Sequence, residues 1–362
     1  MVYYVRFLKT PRTQQQKGSL VISALICITT DLGDSFLAED ADLTVTAYGQ
    51  SSGATFEKST RWNASNRELA ITLGPLPSHL AHQSMVLTVQ VPQLPRQIEP
   101  RYPSIPLVVG ATSAPFGPRS TPAEQLVLRR IKYSNTATRP MEIWEETGNS
   151  IARHIWDAGL ATCTYIHMTL EKSRTGSKQR SKTTGCKLPA LERALSITRD
   201  QPLQVVELGA GCGIVGIALA QMLPNCSVLL TDLPEVEEII TRNINAAQPA
   251  TMSTLHYQNL DWDDPPENLC PRPIDLILVS DCTYNSDSLP ALVAALDQLV
   301  RRSPEAIILV ALKRRHDSET VFFDLMRSAG FTAVRDSIHI PSQYEEVDEI
   351  EFYCYCRSTE PN

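Results

Sequence analysis

Hydrophobic and polar residues alternate along the first part of the chain. In three short runs every second position is apolar and its neighbours are mostly polar: positions 43, 45 and 47, positions 69, 71 and 73, and positions 87, 89 and 91. A period of two residues is typical of strands with one buried face. We therefore expect residues 1–91 to form a β-rich domain, in the form of a small β-sandwich.

A different pattern begins at residue 203, where short continuous apolar runs alternate with stretches of helical periodicity. The pattern predicts helices at 214–223, from 234, at 289–300 and at 319–329, with strands at 204–208, 227–232, 255–258, 275–280 and 306–312. Apolar strands separated by helices are typical of a mostly parallel sheet that is covered on both faces. Further strands at 333–340 and 350–356 are joined by a loop too short for a crossover helix, so they should form an antiparallel hairpin at one edge.

The region between these patterns is rich in proline. Eight prolines fall within the 31 residues from Pro92 to Pro122, a density typical of an extended linker. Beyond it, Ile143, Thr147, Ile151 and Ile155 recur at helical spacing and predict an amphipathic helix. The predicted organisation is therefore a β-rich domain at 1–91, a proline-rich linker at 92–139 and an α/β domain at 140–357.

Composition narrows the possible functions. With 43% apolar and 20% charged residues among 362, the chain has the composition of a folded globular protein with room for two domains. Asp and Glu outnumber Lys and Arg, 40 to 33, which argues against stable binding of nucleic acid. Nine cysteines without a C-x-x-C pair indicate reduced thiols and no metal site.

The N-terminal residues bear on localisation. The longest apolar run there, 20–28, is too short to span a bilayer, which takes about 20 residues. Four basic residues and no acid precede Asp31, as in a mitochondrial presequence, but Pro11 would break the amphipathic helix that such a presequence needs. We expect a cytoplasmic protein that does not associate with membranes, with the nucleus as the alternative.

Three glycines, Gly209, Gly211 and Gly213, alternate where a predicted strand turns into a helix. Glycine permits the backbone conformations of a tight turn and lets a ligand come close. Because Gly211, Gly213 and Gly216 also satisfy the dinucleotide pattern G-x-G-x-x-G, NAD is one candidate ligand.

Two carboxylates favour a different ligand. Asp232 ends the next strand, where it can accept hydrogen bonds from both hydroxyls of a ribose. Glu207 precedes the glycine turn, where a carboxylate would repel a pyrophosphate and suits a cationic ligand better. S-adenosylmethionine combines a ribose with a sulfonium and an ammonium, so it is the expected cofactor.

Four segments, in this order, resemble the fungal-type family 16 protein methyltransferases, here with an extra N-terminal region. They are Glu207-Leu-Gly-Ala-Gly-Cys-Gly213, Asp232, Leu260-Asp-Trp262 and the D-x-x-Y motif Asp281-Cys-Thr-Tyr284. The resemblance covers residues 140–357 and implies a Rossmann-like, seven-stranded methyltransferase sheet that uses S-adenosylmethionine. Members of this family mostly modify lysines on translation factors and chaperones, so it also implies a protein substrate of that kind.

The resemblance also assigns roles to residues. It implies that Asp281 and Tyr284 serve catalysis, Asp281 by binding and aiming the lysine amine and Tyr284 by forming an apolar wall with a polar tip. The segment Lys313-Arg-Arg315 is likewise similar to the family. The cofactor contacts that it implies are Trp144, Glu207, Gly209, Ala210, Gly211, Asp232, Asp261, Trp262 and Ser280.

Other interpretations stay open at this point. Glu207 could pair only with a backbone amide, and Asp281 and Tyr284 could merely cap a turn and pack. A small-molecule N-methyltransferase on the same fold and a non-catalytic interaction module are the alternative functions, followed by an NAD-dependent oxidoreductase.

Charged residues cluster in two further segments. Residues 171–187 carry six basic side chains and one acid and predict a surface loop. Acidic residues form a second cluster, here called the acidic rim: Glu345, Glu346, Asp348, Glu349 and Glu351, together with Asp261, Asp263 and Asp264. This acidic rim could attract a basic segment of a protein partner, or its charges could only protect a sheet edge.

Overall fold

The chain divides into two compact units in the computed structural model. The N-terminal unit comprises residues 1–154 and 341–348, and the C-terminal unit comprises residues 155–340 and 349–362. None of the helices in the described part of the chain is long and apolar enough to cross a membrane. The structure describes residues 1–92, 105–118, 121–133, 139–148, 150–175, 186–196, 201–266, 269–316, 319–340 and 348–357.

The N-terminal unit consists of two β-sheets. Its strands are β1 (Tyr3–Gln16), β2 (Ser19–Thr30), β3 (Ala41–Gly49), β4 (Thr55–Trp62), β5 (Leu69–Leu76), β6 (Met85–Gln90), β7 (Val108–Val109), β8 (Ala111–Ser113), β9 (Leu126–Ile131) and β10 (Met141–Glu146). One sheet has the order β5-β2-β1-β7 and the other β10-β9-β8-β6-β3-β4. The predicted alternation is present in β3, where Leu43, Val45 and Ala47 are buried, and the predicted β-rich region is confirmed.

A buried ion pair within one sheet of this unit also reaches the other sheet through a hydrogen bond of its arginine. Arg129 on β9 donates from Nε to Glu145 Oε1 on β10 at 2.7 Å. Its Nη1 donates to the carbonyl of Val5 on β1 at 2.7 Å and to that of Gly110 at 2.9 Å. The Arg129 side chain is fully buried, so its charge is balanced by Glu145 and its remaining donors are satisfied by the carbonyls of Val5 and Gly110.

The structure differs from the predicted linker and from the helix predicted after it. β7, β8 and β9 lie within 92–139 and complete the two sheets, while Pro115, Pro118 and Pro122 lie between strands. The prolines at 95, 100 and 103 lie outside the described residues. Ile143 belongs to β10, which pairs with β9, so strand pairing overrides the four-residue spacing. The boundary between the units follows His154 rather than residue 139.

The C-terminal unit contains one seven-stranded sheet with the order β13-β12-β11-β14-β15-β17-β16. Its strands are β11 (Leu203–Leu208), β12 (Cys226–Asp232), β13 (Thr254–Asn259), β14 (Leu276–Ser280), β15 (Ile307–Leu312), β16 (Phe331–His339) and β17 (Glu349–Arg357). Its helices are α1 (Asp157–Thr175), α2 (Pro189–Ala194), α3 (Ile214–Met222), α4 (Glu237–Ala246), α5 (Leu289–Arg302) and α6 (Thr320–Ser328).

The strand directions match the prediction of a parallel sheet with an antiparallel edge. β11 to β15 pair in parallel, and β17 runs antiparallel to both β15 and β16. Every residue of β11 and β15 is buried, as continuous apolar runs require in a sheet covered on both faces. The predicted Rossmann-like, seven-stranded sheet with an antiparallel edge hairpin is thereby confirmed.

The strand order fixes where a ligand can bind. β11 lies between β12 and β14. The chain therefore forms β12 and β13 on one side of β11 and then crosses to form β14 and β15 on the other side. In open α/β sheets a crevice forms at such a point, beyond the carboxyl ends of the strands. The residues that follow β11, β12, β13 and β14 are those that the sequence singles out.

Candidate functional site

The glycine turn after β11 depends on left-handed backbone conformations. Gly209, Gly211 and Gly213 have φ angles of +63°, +55° and +78°, a region that side chains other than glycine rarely adopt. A Cβ on Gly209 would lie 2.5 Å from Cys282 Sγ and 3.2 Å from Trp262 Cζ2. The turn therefore brings bare backbone against the loops that follow β13 and β14.

Glu207 lies beneath this turn and is almost completely buried, with 2% of its surface exposed. Its Oε2 accepts a hydrogen bond from the amide of Gly216 at 2.7 Å. Burial raises the pKa of Glu207 to about 8, and the Gly216 amide offsets part of that effect. This contact is the backbone pairing considered as the alternative role for Glu207, and it ties β11 to α3.

Asp232 at the end of β12 holds the same turn. Its Oδ2 accepts from the amide of Gly211 at 2.7 Å, and its Oδ1 accepts from the amide of Leu233 at 2.7 Å. Burial raises the pKa of Asp232, and these amides oppose the shift. Since a carboxylate has about four acceptor positions, each oxygen keeps one for a ribose hydroxyl. The amide of Ala210 instead donates to the carbonyl of Thr231 at 3.0 Å.

The loop after β13 adds an aromatic side chain. The amide of Leu260 donates to the carbonyl of Asp232 at 2.9 Å, which fixes the start of the loop beside β12. Trp262 is half-buried and packs on the apolar core of the unit next to Gly209. Asp261 is exposed, and its Oδ1 accepts from the amide of Asp263 at 3.0 Å.

The end of β14 contributes an unsatisfied hydroxyl and a buried carboxylate. Ser280 Oγ is buried and has no hydrogen-bond partner within the described ranges. Asp281 follows with a φ of +57° and is 8% exposed. Arg315 binds both of its oxygens, with Nη1 at 2.7 Å from Oδ1 and Nη2 at 2.9 Å from Oδ2. The D-x-x-Y aspartate is therefore half of an ion pair in this structure.

Tyr284, the last residue of the D-x-x-Y motif, points outward and is 57% exposed. Partial burial of its hydroxyl, together with acidic groups nearby, raises its pKa, so it stays protonated at neutral pH. Between the two motif residues, Cys282 Sγ lies 3.3 Å from the carbonyl of Ser280, and burial raises the pKa of that thiol well above its usual value. Cys282 is therefore a packing residue rather than a nucleophile.

Polar residues after β15 complete the site. Among these, the sequence pointed only to the Lys313–Arg315 segment, through its similarity to the family. Lys313 Nζ pairs with Asp157 Oδ2 at 2.9 Å in the buried interior. Glu319 Oε1 accepts from the amides of Arg315 and His316 at 2.9 and 3.1 Å. Asp157 is far from Lys313 in the sequence, and Glu319 belongs to no motif. No sequence signal therefore identified either residue.

One predicted cofactor residue belongs to the N-terminal unit. The structure places Trp144 in β10 of the N-terminal unit, opposite Leu128 of β9, and not on a helix. The site described above is made of residues of the C-terminal unit alone.

The predicted acidic rim is only partly described. Glu345 and Glu346 lie outside the described residues, as do residues 176–185 of the basic segment. Glu349 pairs with Arg335 at 3.3 Å, and Glu351 pairs with Arg314 at 2.8 Å. These two carboxylates are thus matched by arginines of their own unit.

These contacts show that the residues fit S-adenosylmethionine. The ends of β11 to β14 meet around Gly209 and Asp232, with a buried, unsatisfied hydroxyl at Ser280 and an aromatic side chain at Trp262. No group of three or more His, Cys, Asp or Glu side chains in the described part of the chain could hold a metal ion.

Comparisons with known proteins agree with this geometry. Residues 135–329 match a family model described as lysine methyltransferase. A UPF0665 family protein of Schizosaccharomyces pombe is 27% identical over 325 residues, which cover 88% of this chain and 91% of that protein. Protein N-lysine methyltransferase METTL21A of Mus musculus is 26% identical over 200 residues, or 55% of this chain and 77% of the relative. EEF1A lysine methyltransferase 3 of Mus musculus is 31% identical over 178 residues, which cover 49% of this chain and 62% of that relative.

Proposed function

The chain belongs to the lysine methyltransferase family, and on that premise we propose that it transfers a methyl group from S-adenosylmethionine to the side-chain amine of a lysine in a protein. The observation that carries the proposal is the Asp232 carboxylate, held by the amides of Gly211 and Leu233 where four strand ends meet. This arrangement offers a ribose two acceptor oxygens and a glycine backbone beside them.

The residues around the crevice bind the cofactor, which supplies a methyl group on a sulfonium. Asp232 accepts hydrogen bonds from the ribose hydroxyls, and Trp262 offers an aromatic face. The backbone of Gly209, Ala210 and Gly211 lines the crevice, with Asp261 at its rim. Ser280 donates its hydroxyl, and Glu207 holds the turn from below by accepting from the amide of Gly216.

The acceptor side of the site lies at the D-x-x-Y motif. Tyr284 is exposed and protonated, so it offers an apolar ring and a hydroxyl to an incoming side chain. An acceptor lysine must be held in line and without its proton, since only the neutral amine is a nucleophile. The residues after β14 therefore serve to bind and orient the acceptor rather than to act as a strong base.

Two measurements test the proposal. Titration calorimetry should show binding of S-adenosylmethionine and of its demethylated product, but not of NAD. Tritiated S-adenosylmethionine added with a Saccharomyces cerevisiae lysate should then label protein that survives acid precipitation, at lysine. Label confined to small molecules would instead support the alternative N-methyltransferase, and a chain that binds neither cofactor would be a non-catalytic module.

The partner we propose is a translation factor or a chaperone in the cytoplasm. Support for a translation factor comes from the name of one relative, EEF1A lysine methyltransferase 3. Purified elongation factor 1A is therefore the first acceptor to test, followed by chaperones, and a fluorescent fusion would report the compartment. Labelling of neither class in the lysate would contradict this choice of partner.

A further inference from the structure

Arg315 and Asp281 form the most complete ion pair at the candidate site. The two Nη atoms of Arg315 lie 2.7 and 2.9 Å from the two oxygens of Asp281, so the guanidinium meets the carboxylate in the bidentate arrangement. Asp281 is almost fully buried and Arg315 largely so. Neither oxygen of Asp281 is therefore left as an unbalanced charge for an incoming ammonium.

The structure holds Arg315 in this place from several sides. Its guanidinium lies over the ring of Trp156, with Cζ 5.3 Å from the ring centroid. Its amide donates to Glu319 Oε1 at 2.9 Å, and Glu319 Oε2 accepts from Thr283 Oγ1 at 3.2 Å. Glu319 thus ties the turn after β15 to the D-x-x-Y loop, which fixes the guanidinium beside Asp281.

The lysine near Asp281 is paired with a different carboxylate. The amide of Lys313 lies 3.4 Å from Asp281 Oδ1, but its ammonium pairs with Asp157. Among the described residues, the titratable groups near Asp281, from its own loop and from β12, α1, the turn after β15 and the start of α6, include Cys282, Tyr284, Asp232, Asp157, Lys313, Arg315, His316 and Glu319.

A free carboxylate at this position would hinder the reaction. A carboxylate within about 4–6 Å of an amine stabilises the ammonium and raises its pKa, and an ordinary lysine with a pKa of about 10.4 is already protonated at neutral pH. The ammonium must release its proton to water first. The nitrogen lone pair then forms the bond to the methyl carbon while the carbon–sulfur electron pair remains on sulfur.

We infer that Arg315 is a positioning residue of the methyl-transfer site, which neutralises Asp281 and orients it so that the acceptor lysine can lose its proton. The inference rests on the proposed function and deepens it. It assigns control of the acceptor's charge to an arginine outside the D-x-x-Y motif. Asp281 then acts through this pair and not as a free anionic contact for the lysine.

The pH dependence of kcat separates this role from a merely structural one. Tritium transfer into the acceptor protein of a Saccharomyces cerevisiae lysate would be followed from pH 6.5 to 10 at saturating S-adenosylmethionine. Arg315→Gln leaves Asp281 unbalanced and should move the midpoint upward by about one pH unit. Asp281→Asn should move it downward, while the double variant, which is neutral again, should restore the parental midpoint.

Two further variants keep the test decisive. Arg315→Lys retains the charge and should keep the parental midpoint even if kcat falls, and it remains informative if Arg315→Gln does not fold. Arg314→Gln is the matched control, because Arg314 pairs with Glu351 and should leave the midpoint unchanged. A midpoint that is the same in the parent and in Arg315→Gln or Asp281→Asn would overturn the inference.

A double-mutant cycle tests the pair without any methyl transfer. The free energies of unfolding of Asp281→Asn, Arg315→Gln and the double variant should be non-additive, and additive effects would overturn the inference. If the parent labels no protein, the proposed function fails while the cycle still reports on the pair, so the two failures are distinguishable.

Discussion

Two carboxyl groups near the glycine turn differ in what surrounds them. Glu207 is enclosed beneath the turn and receives one amide, from Gly216. Asp232 lies at the crevice and receives two, from Gly211 and Leu233. Burial raises the pKa of both groups, and one amide opposes that shift at Glu207 whereas two oppose it at Asp232.

Replacing Glu207 with Gln should change how stability depends on pH. The pKa of Glu207 rises from an ordinary 4.5 to about 8 in the folded protein, so the unfolded chain loses its proton first. The free energy of unfolding should then fall as pH rises between these values. Urea denaturation of Glu207→Gln should show a flatter profile in this window, with the exposed acid Glu235, changed to Gln, as the control. Parallel profiles for parent and variant would contradict the shift.

Replacing Asp232 with Ala should weaken cofactor binding. The change removes charge-assisted hydrogen bonds to the ribose, each worth about 1.5–3 kcal/mol, so S-adenosylmethionine affinity by calorimetry should fall at least about tenfold. Asp264→Ala, at an exposed acid of the loop after β13, is the matched control. Unchanged affinity in a folded Asp232→Ala protein would remove the ribose assignment.

At the scale of elements, the glycine turn shows what local sequence can specify. Left-handed φ angles at Gly209, Gly211 and Gly213 follow from three alternating glycines between an apolar strand and a helix. The helices and strands from Leu203 onward were predicted for the same reason, since their periodicity is local, whereas α1 and α2 were not predicted. Arg315 could not be placed by such reasoning, because its partner Asp281 belongs to a different loop.

Gly209→Ala should disrupt this turn. A left-handed conformation costs an alanine about 1–2 kcal/mol, and its Cβ would also lie 2.5 Å from Cys282 Sγ. Gly330→Ala is the matched control, because Gly330 has a φ of +80° with no atom within 4 Å of the added carbon. Thermal denaturation should show a larger loss for Gly209→Ala.

The steric part of that loss can be isolated in a second variant. Cys282→Ala removes Sγ and leaves Cβ 3.8 Å from the added methyl. Adding this change to Gly209→Ala should recover part of the melting temperature. Equal losses at Gly209 and Gly330, with no recovery in the double variant, would show that the contact costs nothing.

At the scale of the whole molecule, sequence reasoning succeeded with the C-terminal sheet and failed at the join between the units. β7 and β8 lie in proline-rich sequence and have two and three residues, too few for a periodicity to register. β9 has six residues, but two arginines interrupt its apolar run. Ile143 in β10 matched a helical spacing by chance, because only pairing with β9 decides its conformation. Arg129 and Glu145 likewise gave no signal, since their ion pair forms only when β9 and β10 are paired.

Breaking that ion pair should destabilise the N-terminal unit. Arg129→Met would leave Glu145 buried and uncompensated, at a cost of about 3–5 kcal/mol. Combining Arg129→Met with Glu145→Leu should cost less, because no charge is then left unpaired. Arg130→Gln is the control, since Arg130 pairs with Glu142 at an exposed site and should change the free energy of unfolding by under about 1 kcal/mol. Chemical denaturation of each variant would check this order. An equal loss in the free energy of unfolding for Arg129→Met and Arg130→Gln would refute it.

The strand order of the C-terminal sheet also bears on how the chain can be built during synthesis. β16 is made before β17, yet within the described residues β16 pairs with no strand of the sheet except β17. A nascent chain that has completed β15 and β16 therefore has to wait until residues 349–357 emerge before its edge can close. During that interval β15 presents an unpaired, fully apolar edge, the kind of surface that invites aggregation. A premature stop before residue 349 would consequently remove two strands from the sheet rather than one.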